Sequence, residues 1–353
     1  MKRIFVYVLL SLSLLAVLAL GYWLFKQRKL TEFAQTPFGD EQPKTVLIQR
    51  GTGPRALAQL LKEAGVVQEA SLFYEWVRRE GVASQLKAGE YEFIGPLSPA
   101  QVSQQIIHNQ VKTYRYTVPE GLRMDEMIPI MAGAGLGWNP EKLQELMSSP
   151  SFAHSLGVPA AHLEGFLFPD TYLFSRSTTE EAALKKMVDA SLAAYAAAPK
   201  APGVQLNLLE TMTLASIIEK ETGAPEERPR ISCVFHNRLR LKMLLQTDPT
   251  VLYAKRLRLG HFENNITRED LKTPHPYNTY TTKGLPPGPI ASSGKAALEA
   301  ALMPIDCKEL YFVSKNDGTH VFCETLQCHE KAVDKWQRQF HKKKNTPKET
   351  PPH

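Results

Sequence analysis

The sequence predicts an α+β fold: an N-terminal transmembrane helix, a small βααβ module, then a mainly helical larger domain that carries a short β-hairpin. Three observations carry this. Ile4 to Phe25 is a run of 22 residues without a charge, against the roughly 20 that a helix needs to cross a bilayer. Two alternating segments, Thr45 to Gln49 and Gly89 to Ile94, bracket two stretches whose apolar residues recur at helical spacing. Beyond them helical spacing dominates, and Pro and Gly gather in a few loops.

The formal charge is +6, and much of the basic excess lies at the ends: Lys2, Arg3, Lys26, Arg28 and Lys29, then His341-Lys342-Lys343-Lys344. No stripe of Arg and Lys interleaved with aromatics runs through the chain, which argues against a nucleic-acid partner. A negatively charged membrane surface or an anionic polymer suits the sign better. Tyr22 and Trp23 close the apolar run where interfacial aromatics belong. Ala19-Leu20-Gly21 would serve a cleaved signal peptide, but the apolar core is long for one, and an uncleaved anchor is expected. Basic residues flank both ends of the run, so charge counting leaves its orientation open. No cysteine is near it, which argues against a lipoprotein.

The elements divide the chain into an anchor segment (1–29), a linker (30–44), the small module (45–110), the larger domain (111–340) and a charged tail (341–353) expected to be disordered. In the module, Thr45 to Gln49 reads as a strand and Gly51-Thr52-Gly53 as a turn. Leu57, Leu60 and Leu61 mark one helix; Phe73, Trp76 and Val77 mark a second before the returning strand. Strand, two helices and strand is the plan of a LysM-type module, which binds N-acetylglucosamine-containing glycans, and equally the plan of a spacer. Helices are expected over Ser98 to Ile107 and Met124 to Ala132, with a strand over Thr113 to Val118 between them. Asn139 before Pro140 caps a further helix. Leu163 to Phe174 is aromatic-rich and carries Glu164 and Asp170; it suits a sugar-lined cleft wall or, more commonly, aromatic core under a loop.

The stretch that organises the larger domain is Leu214-Ala215-Ser216-Ile217-Ile218-Glu219-Lys220-Glu221-Thr222. It reads as the end of a helix capped by Asn207, with Glu210 three residues on, and stopped by Gly223. On a helical wheel Leu214, Ile217, Ile218 and Glu221 share one arc, while Glu219 lies on the flank beside Ala215 and Thr222, where small side chains leave room for another molecule. A carboxyl held against apolar side chains has its charged form disfavoured and becomes a proton donor near neutral pH. Two solvated glutamates at a helix end are the ordinary alternative.

Asp248 before Pro249 is either a helix cap or a second active-site carboxylate, and spacing does not separate these. The proline-rich loops that follow hold Tyr277, Asn278 and Tyr280, which offer hydrogen bonds and stacking faces to a sugar. A helix over Lys295 to Leu302, a hairpin around Asn316-Asp317-Gly318 and a last helix over Lys331 to Phe340 complete the domain. The four cysteines, Cys233, Cys307, Cys323 and Cys328, allow three disulfide connectivities if all pair. They lack zinc-finger spacing, and no metal and no cofactor is assigned.

Taken together, Thr117-Val118-Pro119-Glu120-Gly121-Leu122, Leu163-Glu164-Gly165, Phe168-Pro169-Asp170-Thr171-Tyr172, Ile218-Glu219-Lys220-Glu221, Asp248-Pro249-Thr250-Val251, Tyr277-Asn278-Thr279-Tyr280, Gly284 to Ile290 and Asp317 to Phe322 resemble the motifs of the MltG (YceG-like) family of endolytic murein transglycosylases. They stand in the family's order across roughly residues 45 to 335. The resemblance implies a single-pass inner-membrane protein with a cytoplasmic start, a LysM-like module and a periplasmic YceG-like catalytic domain. Its partners would be peptidoglycan glycan strands, the membrane and peptidoglycan synthase complexes. It implies cleavage between N-acetylmuramic acid and N-acetylglucosamine without water, leaving a 1,6-anhydro end. It nominates Glu219 as acid and base, where the wheel gives the more buried arc to Glu221. Glu221, Asp248, Tyr277, Asn278, Tyr280 and Glu164 are the expected substrate-binding residues. The rival readings are a non-catalytic wall-binding scaffold and a muramidase-type hydrolase using Glu219 with Asp248.

Overall fold

The computed structural model of the chain describes residues 2–338, the side chains of Lys2, Arg3, Phe5, Val6, Val8 and Leu9 excepted. The tail over 341–353 and the end of the expected last helix at Phe340 lie outside the described residues. The chain forms two compact units, one running to Arg115 and including Leu173–Thr178, the other comprising Tyr116–Tyr172 and the chain from Thr179 on.

The first unit holds α1 (Lys2–Gln35), β1 (Lys44–Ile48), α2 (Pro54–Glu63), α3 (Ala70–Arg79), β2 (Gly89–Phe93) and α4 (Pro99–Ile107). β1 and β2 pair antiparallel, Lys44 opposite Phe93 and Ile48 opposite Gly89. Side chains alternate along a strand, so Val46 and Ile48 turn inward while Leu47 stays exposed. They meet Leu57, Leu61, Phe73, Val77, Tyr91 and Ile106 in one core. Gly89 is required in β2, because a Cβ there would lie 2.6 Å from Val111. Ser98 starts α4 with a capping box completed by Gln101.

Among the described residues, α1 alone is long and apolar enough to cross a membrane, judged by length and composition. Its last turns do something else. Leu30 and Ala34 are buried in the core of the βααβ elements, so residues 30–35, read from sequence as linker, are helical.

The second unit is built from the end of β3 (Tyr114–Thr117), α5 (Met124–Ala132), α6 (Pro140–Ser148), α7 (Pro150–Ser155), the start of β4 (Thr171–Phe174), α8 (Glu180–Ala197) and α9 (Leu208–Glu221). It continues with α10 (Arg228–Arg240), α11 (Asp248–Leu259), α12 (Arg268–Lys272), α13 (Lys295–Leu302), β5 (Tyr311–Ser314), β6 (His320–Cys323) and α14 (Leu326–Val333). α9 packs against α10, α11 and α13, and every residue from Thr211 to Ile218 is buried. A helix apolar on all sides belongs in the interior, not at a surface. Asn207 and Glu210 form its capping box with two bonds of 2.9 Å. It ends at Glu221 rather than at Gly223: Thr222 is already extended, and its hydroxyl accepts the Ala224 N–H. The aromatic-rich segment is core rather than cleft wall, since Leu163, Phe166 and Leu167 are fully buried.

β5 and β6 form the expected hairpin, Tyr311 opposite Cys323 and Ser314 opposite His320. The four cysteines pair as Cys233–Cys307 and Cys323–Cys328. The first joins α10 to the segment leading into β5, across 74 residues; the second closes a loop of 5. Loop-closure entropy predicts that replacing Cys233 and Cys307 by serine lowers unfolding free energy by about 4 kcal/mol, against about 2 kcal/mol for Cys323 and Cys328. Urea unfolding of the two double variants measures the difference.

Candidate functional site

In the second unit, a cavity of about 510 Å³ is lined by Glu221, Arg238, Gln246, Asp248, Tyr280 and His320, with Tyr311 and Phe312 of β5 among its walls. Glu221 reaches it as the last residue of α9. Its Oε1 accepts a hydrogen bond from the Thr247 hydroxyl, at the N-cap of α11. Thr247 is itself fixed: its N–H donates to Thr279 Oγ1 at 3.0 Å, and its carbonyl accepts the Thr250 hydroxyl at 2.7 Å. Burial pushes the Glu221 carboxyl up to about 7, the Asp248 charge adding to the effect, while Thr247 and Arg238 oppose it.

Asp248 is not the N-cap of α11; that position is held by Thr247, whose hydroxyl goes to Glu221 instead of capping the helix. Asp248 sits in the first turn, where the helix dipole favours a carboxylate, and its Oδ1 accepts the Tyr280 hydroxyl at 2.7 Å. Burial pushes the Tyr280 phenol far up, so it stays a donor. Gln246, just before, is held at φ +49°, a left-handed conformation uncommon outside glycine, by an N–H bond to Thr279 O. Arg238 of α10 donates to Leu310 O at 2.6 Å and Leu245 O at 2.7 Å, joining the loop before α11 to the segment that leads into the hairpin.

Glu219 lies in a different environment. Its side chain is 7% exposed and is absent from the cavity lining; Oε1 accepts from Arg228 Nη2 at 3.1 Å and Oε2 from the Gly294 N–H at 3.1 Å. Glu120 Oε2 stands 4.0 Å from the same guanidinium. Lys220 donates to Gly121 O, and Gly121 and Leu122 exchange backbone bonds with Ser292 at 2.8 Å each. The first glutamate thus ties two loops to the end of α9.

Three further expected sugar contacts are built into the scaffold. Glu164 is 1% exposed; its carboxylate accepts the Met124 N–H at 3.0 Å and the Tyr253 hydroxyl at 3.1 Å, and burial pushes it up to about 7. Tyr277 packs its ring 4.9 Å from Tyr253. Asn278 is buried, donates to the Asp270 and Thr273 carbonyls, and accepts the Tyr280 N–H at 3.0 Å, so it orients the neighbour that does line the cavity.

Sequence reasoning missed Thr247, Arg238 and His320. Thr247 was legible as a helix cap before Asp248-Pro249. His320 was hidden, because its partner Glu227, accepting its N–H at 2.9 Å and facing Nδ1 at 2.6 Å, is distant in sequence. Among the described residues, no group of three or more His, Cys, Asp or Glu is placed to hold a metal ion.

The model of the YceG-like family matches residues 46–335. The chain belongs to the YceG-like family. The motif resemblance is thereby shown. This YceG-like chain is 32% identical over 310 residues to an endolytic murein transglycosylase of Bacillus subtilis, covering 82% of this chain and 83% of that one. It is 27% identical over 362 residues to an endolytic murein transglycosylase of Streptococcus pneumoniae, with 93% of this chain and 64% of that longer protein covered. A crystal structure of a YceG-like protein from Listeria monocytogenes matches with a TM-score of 0.55 at 32% identity, over 83% of this chain and 99% of that one.

Two predictions follow from the packing of this YceG-like domain. Glu164 and Glu221 have folded pKa values near 7, above the unfolded value of about 4.3. The folded state therefore binds more protons between these values, and stability falls as pH rises through that window. Urea unfolding at about pH 5 and about pH 8 detects the loss, and a Glu164→Gln variant, neutral throughout, shows a shallower decline. Gly165 has φ +77°, and a Cβ there would lie 2.2 Å from Pro289 Cβ. Gly165→Ala is expected to cost about 2–4 kcal/mol through left-handed strain and overpacking, read as a lowered urea midpoint.

Proposed function

We propose that this protein is a membrane-anchored endolytic peptidoglycan lytic transglycosylase, and that Glu221, not Glu219, is its acid and base. The observation that carries the assignment is a carboxyl with a pKa near 7 in the wall of a polar cavity, hydrogen-bonded on one oxygen and facing Asp248 and Tyr280. Family membership and the activity named for the relatives support the substrate, the glycan strand of peptidoglycan, and the reaction class.

The Thr247 hydroxyl donates to Oε1, which leaves the acidic proton to Oε2. That proton goes to the glycosidic oxygen as the bond from C1 of the muramic acid breaks, giving a free N-acetylglucosamine 4-hydroxyl. The muramic acid 6-hydroxyl oxygen then bonds to C1, and its proton returns to the Glu221 carboxylate. One carboxyl serves twice, as in the acid-then-base exchange of retaining glycosidases. Asp248 raises the proton affinity of Glu221 and supplies negative charge where the sugar becomes cationic. Glu219 is a positioning residue: with Arg228 and Gly294 it holds the loops bearing Glu120 and Ser292.

α1 is the anchor in this reading, a single span of the inner membrane with the catalytic unit in the periplasm. Its length and composition support it. The order β1–α2–α3–β2 supports a LysM-like reading of the small module. Asp248 beside Glu221 also favours a second reading, a hydrolase in which Asp248 activates water or stabilises the cation.

Mass spectrometry of glycan fragments from uncrosslinked strands tests this, with turnover normalised to folded protein. Glu221→Gln is expected to lower anhydro-end formation by about 10²–10⁴, the usual contribution of a general acid. Glu219→Gln should leave anhydro ends forming. Anhydro ends lost in Glu219→Gln and retained in Glu221→Gln would overturn the assignment, and reducing ends would establish the hydrolase. The wild-type rate should fall tenfold per pH unit above about 7, as Glu221 loses its proton.

A further inference from the structure

A second cavity, of about 1060 Å³, lies in the first unit between the start of α2 and α3, lined by Gly53, Arg55, Ser71, Tyr74, Glu75 and Arg78 among others. Arg55 stands 5.1 Å and Arg78 5.6 Å from the centre of the Tyr74 ring. Both arginines are exposed, and neither has a carboxylate partner among the described residues. The one acidic group in the lining, Glu75, is already taken: Lys26 pairs with it at 2.8 Å.

That pair fixes where the cavity lies. Lys26 is the first charged residue after the exposed apolar run of α1. On the next turn Gln27 and Thr31 accept from Arg79 of α3, each at 3.2 Å, and Leu30 and Ala34 are buried in the same core as Phe73 and Val77. α3 is therefore clamped to α1 where α1 leaves the apolar run. The cavity, with Glu75 in its lining, therefore adjoins the end of that apolar run.

We propose that this cavity binds the phosphate-bearing headgroup of an anionic lipid in the membrane that α1 spans. The inference rests on the membrane reading of α1 given above. Guanidinium groups match phosphate oxygens with paired N–H donors, and the Tyr74 ring holds two of them at one mouth. Beyond Pro54, which has no N–H, the first turn of α2, a helix of 10 residues whose N-cap Gly53 offers no capping side chain, adds N–H donors of the same sign. A neutral sugar would need the Tyr74 face, which the two arginines occupy.

The test uses the full chain in detergent micelles, titrated with phosphatidylglycerol or phosphatidylcholine and read by native mass spectrometry. Phosphatidylglycerol should be retained in preference. Arg55→Gln with Arg78→Gln should bind it about thirtyfold more weakly, the loss expected when two arginines near a membrane surface are neutralised. Equal retention of both lipids, or unchanged retention by the double variant, overturns the proposal. So does stronger hydrogen-exchange protection of residues 53–59 and 70–78 by soluble glycan strands than by phosphatidylglycerol, which would assign the groove to sugar. Carbonate extraction from phosphatidylcholine vesicles reads insertion of α1 separately: failure to insert sinks the membrane reading and this site together, whereas insertion without lipid preference sinks the site alone. Glycan cleavage by the double variant should match wild type.

Discussion

Burying a carboxylate is costly unless it gains a partner or keeps its proton, and the second unit places three glutamates under that constraint, two of them at the end of α9. Glu219 meets it with a guanidinium and a backbone N–H. Glu164 meets it with an amide and a phenol and a pKa pushed up to about 7. Glu221 has a single hydroxyl on Oε1, the cavity it lines, and a pKa pushed up to about 7. The same physical demand thus yields a loop tie, a core link and, in the proposed mechanism, a proton donor. Their sequence neighbourhood does not distinguish the roles; the surroundings of each oxygen do.

The site stands on elements that have little freedom to move. α9 is buried on all sides through Ile218, so its last residue is aimed by packing rather than by a flexible loop. Thr247, Thr250 and Thr279 bond to one another and settle the start of α11 against the segment that carries Tyr280. Arg238 and the Cys233–Cys307 disulfide secure the hairpin that closes the far wall. Preorganised donors of this kind are what general-acid chemistry requires, because no reorganisation is then left for the moment of reaction.

Much of the architecture was legible in the sequence because its signals are local. Alternation in Thr45 to Ile48, the capping box of Asn207 and Glu210, and Asn316-Asp317-Gly318 before β6 each report a structure within a few residues of themselves. The helix end was legible only in part, since Gly223 is a plausible stop but Thr222 turns the chain first. The wheel put Glu221 in the apolar arc, and the cavity assignment agrees with that arc; the motif match pointed two residues earlier. Choosing between them depended on Arg228, Gly294, Thr247 and Asp248, which approach from other elements. The burial of Asn278 and Glu164 was not legible for a related reason: a polar residue in a loop motif looks alike whether it faces a ligand or satisfies buried backbone. The continuation of α1 into the module core was likewise unreadable, because polar residues around Leu30 and Ala34 mask their shared face.

The measurement that bears most directly on the central claim is a carbon-13 NMR titration of the glutamate side-chain carboxyls in the full chain, with Glu221 assigned by its disappearance in Glu221→Gln. A Glu221 carboxyl titrating near pH 7, and lower in Asp248→Asn, is the result this account predicts. A Glu221 carboxyl titrating near the ordinary value of about 4.3 would contradict it, since no proton would then be available at neutral pH for the departing sugar.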